Sequence, residues 1–196
     1  MAVTKTALQT ESQTALGLTS FLGGAALFFT GILIAQINNF SSTIKVPIAY
    51  LIISTFAFIF ASIIYANVSG QIRMNRLGVV KRSILVANSL SEFLGIYLFI
   101  IAIPMVLSAI TSDLVLRYIV DVAAIISLVL YTHSSFSIFR RSFTARSGYY
   151  FSGSLIAAML VLYGIQGVNN TLYVGSSVFL ILVLLAATIL SEESKQ

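Results

Sequence analysis

The chain has 196 residues, of which 58% are hydrophobic and only 9% are charged, and its mean hydropathy is +1.00. A soluble domain carries about a quarter charged residues, so this composition excludes an ordinary soluble protein and indicates one compact integral membrane domain. The net charge of +5 does not indicate a nucleic-acid partner, because the basic residues cluster in two short segments and form no face interleaved with aromatic residues. With no cysteine and a single histidine, the chain offers no disulfide, thiolate or multi-histidine metal site, and we expect neither a metal nor a cofactor.

Six apolar runs are long enough to cross a bilayer as helices, which takes about 20 residues each. In chain order they are residues 15–37, 47–67, 84–110, 114–131, 148–167 and 171–190. The sequence therefore predicts an all-α polytopic membrane protein, with a bundle of six transmembrane helices joined by short loops over residues 15–190. An N-terminal segment, 1–14, and a tail, 191–196, flank the bundle. The polar start lacks a signal-peptide pattern, so we expect the first run to be retained as a helix.

The basic residues predict the topology of these helices. Predicted loops follow the second and fourth runs and contain most of the basic residues, namely Arg73, Arg76, Lys81, Arg82, Arg140, Arg141 and Arg146. Cytoplasmic loops are enriched in Lys and Arg, and six spans put both loops on the same side as the two termini. We therefore predict cytoplasmic termini, and we expect the plasma membrane. The pairs Lys81–Arg82 and Arg140–Arg141 are also candidates for binding anionic lipid headgroups, although topology alone accounts for them.

Two predicted external loops contain sequons for N-glycosylation. They begin at Asn39 and Asn169, each followed by a Ser or Thr two positions later. Such sequences mark acceptor sites on exposed loops, although they also arise by chance. We keep both as candidates for a host that glycosylates its membrane proteins.

Two sequence patterns concern the packing of the helices. The tripeptide Phe-Leu-Gly occurs at residues 21–23 and 93–95, near the starts of the first and third runs. This similarity indicates either tandem helical hairpins or chance resemblance between apolar helices. Ala15, Thr19 and Gly23 recur every four residues, a spacing of small residues that lets helices approach closely. We expect this ladder to serve packing inside the bundle rather than a dimer interface.

Full charges inside the predicted spans are the main candidates for function. Glu92 lies in the third run, and Arg117 and Asp121 lie in the fourth. Inserting a charge at the bilayer centre costs at least about 2.5 kcal/mol, so these side chains should face protein or water. Arg117 and Asp121 are four residues apart and share a helix face, where they can pair. By the rise of an α-helix, Glu92 lies about 12 Å inside the membrane from the cytoplasmic side, and Asp121 lies about 12 Å inside it from the outer side.

These three residues support two hypotheses. The first is a buried charge network on a proton or cation path, in which Glu92 and Asp121 bind the ion and Arg117 is a counter-charge. The second is an ion-pair clamp that fixes the third and fourth helices against each other.

Three further residues are secondary candidates. Asn88 is a weaker polar group in the third run, and His133, at the end of the fourth, is either a proton relay or an ordinary interfacial residue. Pro104 would free a backbone carbonyl and kink the third helix, which would permit flexing beside a polar site.

Enzyme motifs are lacking, so we expect no catalytic activity. The Ser-Gly-Ser at residues 152–154 has no histidine base close by in sequence, and no phosphate-binding glycine loop occurs. The sequence instead favours a small channel or transporter for a proton, cation or small solute. The alternative is a non-catalytic accessory or structural subunit of a larger membrane complex, whose charges are clamps. The expected partners are the lipid bilayer and either copies of this chain or a larger membrane complex.

Overall fold

The structure is a computed structural model that describes residues 5–74 and 77–131, and helices account for nearly all of this part of the chain. Two short 3-10 turns, Ile37–Asn39 and Ser42–Ile44, join the first two helices. The helices are α1 (Lys5–Ala35), α2 (Lys45–Arg73), α3 (Leu77–Ser89), a π-helical stretch hereafter called the π segment (Leu90–Tyr97), α4 (Leu98–Ile110) and α5 (Leu114–Leu130). The α3 helix, the π segment and α4 follow one another without a break. The predicted all-helical class is confirmed for the described residues.

Three of the described stretches are long and apolar enough to cross a membrane, which is what an integral membrane protein requires. They are Leu8–Ala35, Ser42–Ile72 and Gly78–Ile110, identified by length and composition. The 17-residue helix α5 coincides with the fourth predicted run and lies at the lower limit of spanning length. The fifth and sixth predicted runs lie outside the described residues, so the bundle of six helices stays a prediction.

At one end of the bundle the helices extend beyond the predicted apolar runs. Helix α1 begins ten residues before position 15, and the stretch after the second run, interpreted from sequence as a basic loop, consists mostly of the ends of α2 and α3. These extensions pack together, because apolar residues keep recurring at helical spacing where the continuous hydrophobic runs stop. The buried cluster that joins the three extensions consists of Leu8, Val68, Ile72, Val80 and Ile84.

Helices α1 and α2 form an antiparallel hairpin with small and hydroxyl side chains at its interface. The Thr19 and Ser62 hydroxyls are 2.8 Å apart, and the Ser12 Oγ donates a hydrogen bond of 2.9 Å to the Tyr65 carbonyl. Buried positions on each helix recur at intervals of mostly three and four residues, as in a coiled-coil seam. On α2 they are Leu51, Ser54, Phe58, Ala61, Tyr65, Val68 and Ile72. Within the Ala15, Thr19 and Gly23 ladder, Thr19 and Gly23 contact α2, so they pack inside the hairpin.

Phe58 of α2 lies between the two glycines of the repeated Phe-Leu-Gly tripeptide. A Cβ atom added to Gly23 would lie 3.2 Å from the Phe58 Cβ, and one added to Gly95 would lie only 2.5 Å from the Phe58 Cε1. The Ser54 Oγ also donates a hydrogen bond of 2.9 Å to the Gly95 carbonyl. Since Phe58 is fully buried, its ring has little freedom to move away. The two glycines therefore allow α1 and the π segment to approach α2.

We predict that Gly95→Ala destabilises the protein, because the new methyl group would overlap the buried Phe58 ring. Overpacking of this kind costs about 1–3 kcal/mol, more than the gain in helix propensity from replacing glycine. The measurement is equilibrium unfolding in mixed micelles. Gly24→Ala is the matched control, since a Cβ at Gly24 meets no atom within 4 Å, and it should leave stability equal or slightly higher. Equal unfolding midpoints for the Gly95 and Gly24 variants would contradict the prediction.

Candidate functional site

The π segment carries Glu92 in the middle of the third long helix. By helical rise, Glu92 lies about 21 Å from Gly78 and about 27 Å from Ile110, the two ends of this candidate span. The side chain is only 6% exposed. π-Helical turns are rare and are often found at functional sites, because they widen the backbone locally. A buried carboxylate on such a turn, at the centre of a membrane helix, is the first element of a candidate site.

Glu92 lines a cavity between α1, α2 and the third long helix. Its volume is about 390 Å³. The polar lining residues are Glu11, Thr14, Thr19, Tyr65, Asn88, Ser91, Glu92 and Tyr131, and the apolar ones are Ala15, Leu18, Leu22 and Ile96. We call this space the Glu92 cavity. From the described part of the chain, it brings together two carboxylates, one amide and several hydroxyl groups of residues far apart in sequence.

Hydrogen bonds fix one wall of the Glu92 cavity. The Tyr65 hydroxyl donates to the Asn88 Oδ1, which joins α2 to α3, and Asn88 is only 6% exposed. The Ser91 Oγ donates to the Asn88 carbonyl over 3.1 Å. On the other side, Ser12 of α1 binds the Tyr65 carbonyl. Tyr65 and Asn88 therefore hold three helices in register around the carboxylate.

Arg117 closes the turn between α4 and α5. Its Nε donates a hydrogen bond of 2.9 Å to the Thr111 carbonyl, and its Nη2 donates to the Ser108 carbonyl. Carbonyl groups at the end of a helix lack partners within that helix, so the guanidinium caps α4. Asp113 is the N-cap of α5 and accepts from the amides of Val115 and Leu116 at 2.9 and 3.2 Å. In the described part of the chain, the guanidinium hydrogen bonds of Arg117 thus go to backbone carbonyls rather than to a carboxylate.

Asp121 lies on α5 and is partly buried, but it is not among the described residues that line the Glu92 cavity. The acid that joins Glu92 among the described lining residues is Glu11, on the N-terminal extension of α1. The structure therefore brings Glu92 together with Glu11 and Asn88. It does not bring Asp121 or Arg117 into the same space.

The remaining predicted site residues lie elsewhere. Pro104 is buried inside α4, and Asn39 is exposed in the first 3-10 turn. Lys81 and Arg82 are exposed on α3, where headgroups could reach them. Four candidates lie outside the described residues: His133, Arg140, Arg141 and Asn169.

Sequence reasoning missed Glu11 because it assigned residues 1–14 to a polar segment outside the bundle. A signal for this residue exists in the helical spacing of Leu8, Ser12, Ala15 and Thr19, which extends the α1 seam past the start of the apolar run. Tyr65, near the end of the second apolar run, is 2% exposed and also lines the cavity. Both residues could be assigned to the site only after the three helices were packed.

Compared with known proteins, the chain matches no family model, no curated protein and no solved structure. Among the described residues, no group of three or more His, Cys, Asp or Glu side chains could hold a metal ion. Carboxylate and hydroxyl oxygens accept hydrogen bonds and coordinate cations, so this lining has the chemistry to bind a proton or another cation. The arrangement therefore defines a candidate cation site.

We predict that Tyr65→Phe lowers stability, because it removes the hydroxyl that joins α2 to Asn88 and keeps the ring. Hydrogen bonds between membrane helices contribute about 0.6 kcal/mol on average and up to about 1.7 kcal/mol. The measurement is again equilibrium unfolding in mixed micelles. Tyr118→Phe serves as the control, since Tyr118 is 67% exposed and should tolerate the change. A loss of stability no larger for Tyr65→Phe than for Tyr118→Phe would show that the bond does not hold the helices.

Proposed function

We propose that this chain is a small membrane transport protein, a channel or transporter that moves a proton, a cation or a small solute by way of the Glu92 cavity. The observation that supports this most directly is the 6% exposed Glu92 carboxylate, halfway along a candidate span and lining the Glu92 cavity. Ionisable groups inside membrane segments are costly and commonly mark ion or proton pathways. We also propose that the chain has no catalytic activity.

The cavity offers a cation a stepwise route. Glu11 lies on the α1 extension, near the predicted cytoplasmic end of the bundle, and Glu92 lies deeper. Binding a proton or cation neutralises a buried carboxylate and so lowers the cost of keeping it away from water. The π segment, with its wider backbone, would accommodate small shifts of Glu92 between bound and free states.

An accessory subunit of a larger membrane complex is the second candidate, and the cap formed by Arg117 favours it. An arginine that closes the turn between α4 and α5 through bonds to backbone carbonyls has a structural role. The outer face of α1 also carries strongly exposed aromatic residues, among them Phe21 at 73% and Phe28 at 66%. Such a face suits lipid, a copy of this chain or a partner subunit, and these arrangements are compatible with either function.

The full topology belongs to the proposal as well. We propose six spans with both termini cytoplasmic, in the plasma membrane, with Lys81 and Arg82 near anionic headgroups. Under this topology the turn between α1 and α2 faces the outside, and the start of α3 faces the cytoplasm.

We predict that single cysteines in these two connections react from opposite sides of the membrane. Because the chain contains no cysteine, Ser42→Cys and Gly78→Cys each add a unique thiol at an exposed position. A membrane-impermeant maleimide applied to intact cells should label position 42 at once and position 78 only after permeabilisation. The reverse order would invert the proposed topology, and labelling of both in intact cells would contradict the span between them.

We predict that Glu92→Gln reduces transport by proteoliposomes by at least about tenfold, since the amide cannot carry the charge that binds a cation. The measurement is flux of protons, sodium and choline into vesicles containing purified protein. Asp113→Asn is the control, because asparagine preserves the N-cap of α5 and the change removes an exposed acid. Wild-type flux equal to that of empty vesicles for all three cations would refute cation transport by this chain and favour the accessory role.

A further inference from the structure

The walls of the Glu92 cavity combine negative charge with aromatic and apolar surface. We propose that the cavity binds a small organic ammonium cation, with Glu11 and Glu92 supplying negative charge and Tyr131 as its aromatic wall. As a statement about a transported substrate this rests on the proposed function, but the binding itself can be measured without transport.

The cavity is large enough to hold a small organic molecule. Its volume of about 390 Å³ lies within the range of about 300–1,000 Å³ that is usual for small-molecule sites. A single water molecule occupies about 30 Å³, so the space is far larger than a proton or one small ion needs. A bare metal cation would also require several oxygen ligands at about 2.0–2.6 Å on different sides. The described residues offer no group of three acidic or histidine side chains for that purpose.

The lining of the cavity combines the groups that an organic cation needs. Glu92, 6% exposed, and Glu11 supply negative charge at two depths. Tyr131, which is partly buried, supplies an aromatic ring to the lining, and aromatic rings attract ammonium groups and are the usual feature of sites for quaternary ammonium ligands. A strongly hydrated inorganic ion gains little from apolar walls, whereas the alkyl groups of an organic cation do. The apolar walls are Leu18, Leu22 and Ile96.

The position of Tyr131 supports its place in the wall. Its ring forms an edge-on contact with Tyr97 of the π segment, with the centroids 6.2 Å apart and the planes at 75°. This contact fixes the end of α5 beside the turn that carries Glu92. The aromatic wall is thus anchored to the element that supplies the carboxylate.

The test measures binding of radiolabelled choline to the full chain by equilibrium dialysis in an uncharged detergent. The control compound is its neutral carbon isostere, in which a tert-butyl group replaces the trimethylammonium group. We expect saturable choline binding that the isostere and equal concentrations of sodium fail to displace. Equal displacement by the isostere would show an apolar pocket, and equal displacement by sodium would show an inorganic-cation site; either result, or no binding at all, overturns the proposal.

Variants test the roles assigned to Glu92 and Tyr131 in choline binding. Glu92→Gln should weaken choline binding at least about tenfold, as expected for the loss of a charged partner. Tyr131→Leu should weaken it about threefold or more, while Tyr131→Phe, which keeps the ring, should not. Asp121→Asn is the matched control for removing a charge, since Asp121 does not line the cavity, and it should bind as the wild type does. Unchanged binding by Glu92→Gln, or equal loss in the two Tyr131 variants, would refute the assignment.

A measurement on the wild-type protein covers the case in which a variant fails to fold. Dicyclohexylcarbodiimide modifies carboxyl groups in apolar surroundings, and mass spectrometry of peptides reports the modification of Glu92. Choline should slow this reaction and its neutral isostere should not; equal rates with both would count against the site. If choline fails to bind while proton flux still depends on Glu92, the organic-cation proposal falls and the transport proposal stands. If choline binds but no flux is measured, the organic-cation site stands and the transport proposal falls.

Discussion

The close approach of three helices at Phe58 is the contact on which the rest of the structure depends. The ring is fully buried, with Gly23 of α1 beside its Cβ and Gly95 of the π segment beside its edge. Lipid tails are as apolar as the side chains, so helices in a membrane associate through close packing and hydrogen bonds rather than through the hydrophobic effect. Small residues at this point bring the π segment against α2, and Ser54 adds a hydrogen bond to the Gly95 carbonyl. The position of Glu92, three residues before Gly95, follows from this contact.

The layer around Phe58 separates two environments. Toward Tyr65 lies the Glu92 cavity, with its carboxylates and hydroxyl groups. In the opposite direction lies the largest apolar cluster of the described chain, which includes Leu51, Tyr97 and Met105. Movement of an ion past Glu92 would require this apolar layer to rearrange, whereas binding in the cavity would not. The π segment lies at the boundary between the two environments, and its wider backbone makes it the element best suited to such a shift.

How far the site could be predicted depended on the kind of signal each residue gives. Glu92 was identifiable because a carboxylate inside a long apolar run has few explanations other than function or a buried partner. The role of Arg117 was not identifiable from the sequence. Its guanidinium can reach either a carboxylate four residues away or the carbonyl groups at the end of α4, and only the geometry of the turn selects the carbonyls. Glu11 lies outside the continuous apolar run, and its place in the cavity follows from an α1 seam that extends to Leu8.

By itself, the sequence determined the class of protein, helical and membrane-embedded. Apolar runs of about 20 residues can satisfy their backbone hydrogen bonds in lipid only by forming helices within each run, a local requirement that composition reveals. The tertiary structure alone decided which polar groups share a space. Glu11, Tyr65 and Glu92 lie on three different helices, and their convergence depends on the register of the seam between α1 and α2 and on the glycines at Phe58. Register is a property of the packed helices, because each apolar helix could pack against its neighbours in several ways until shape complementarity selects one.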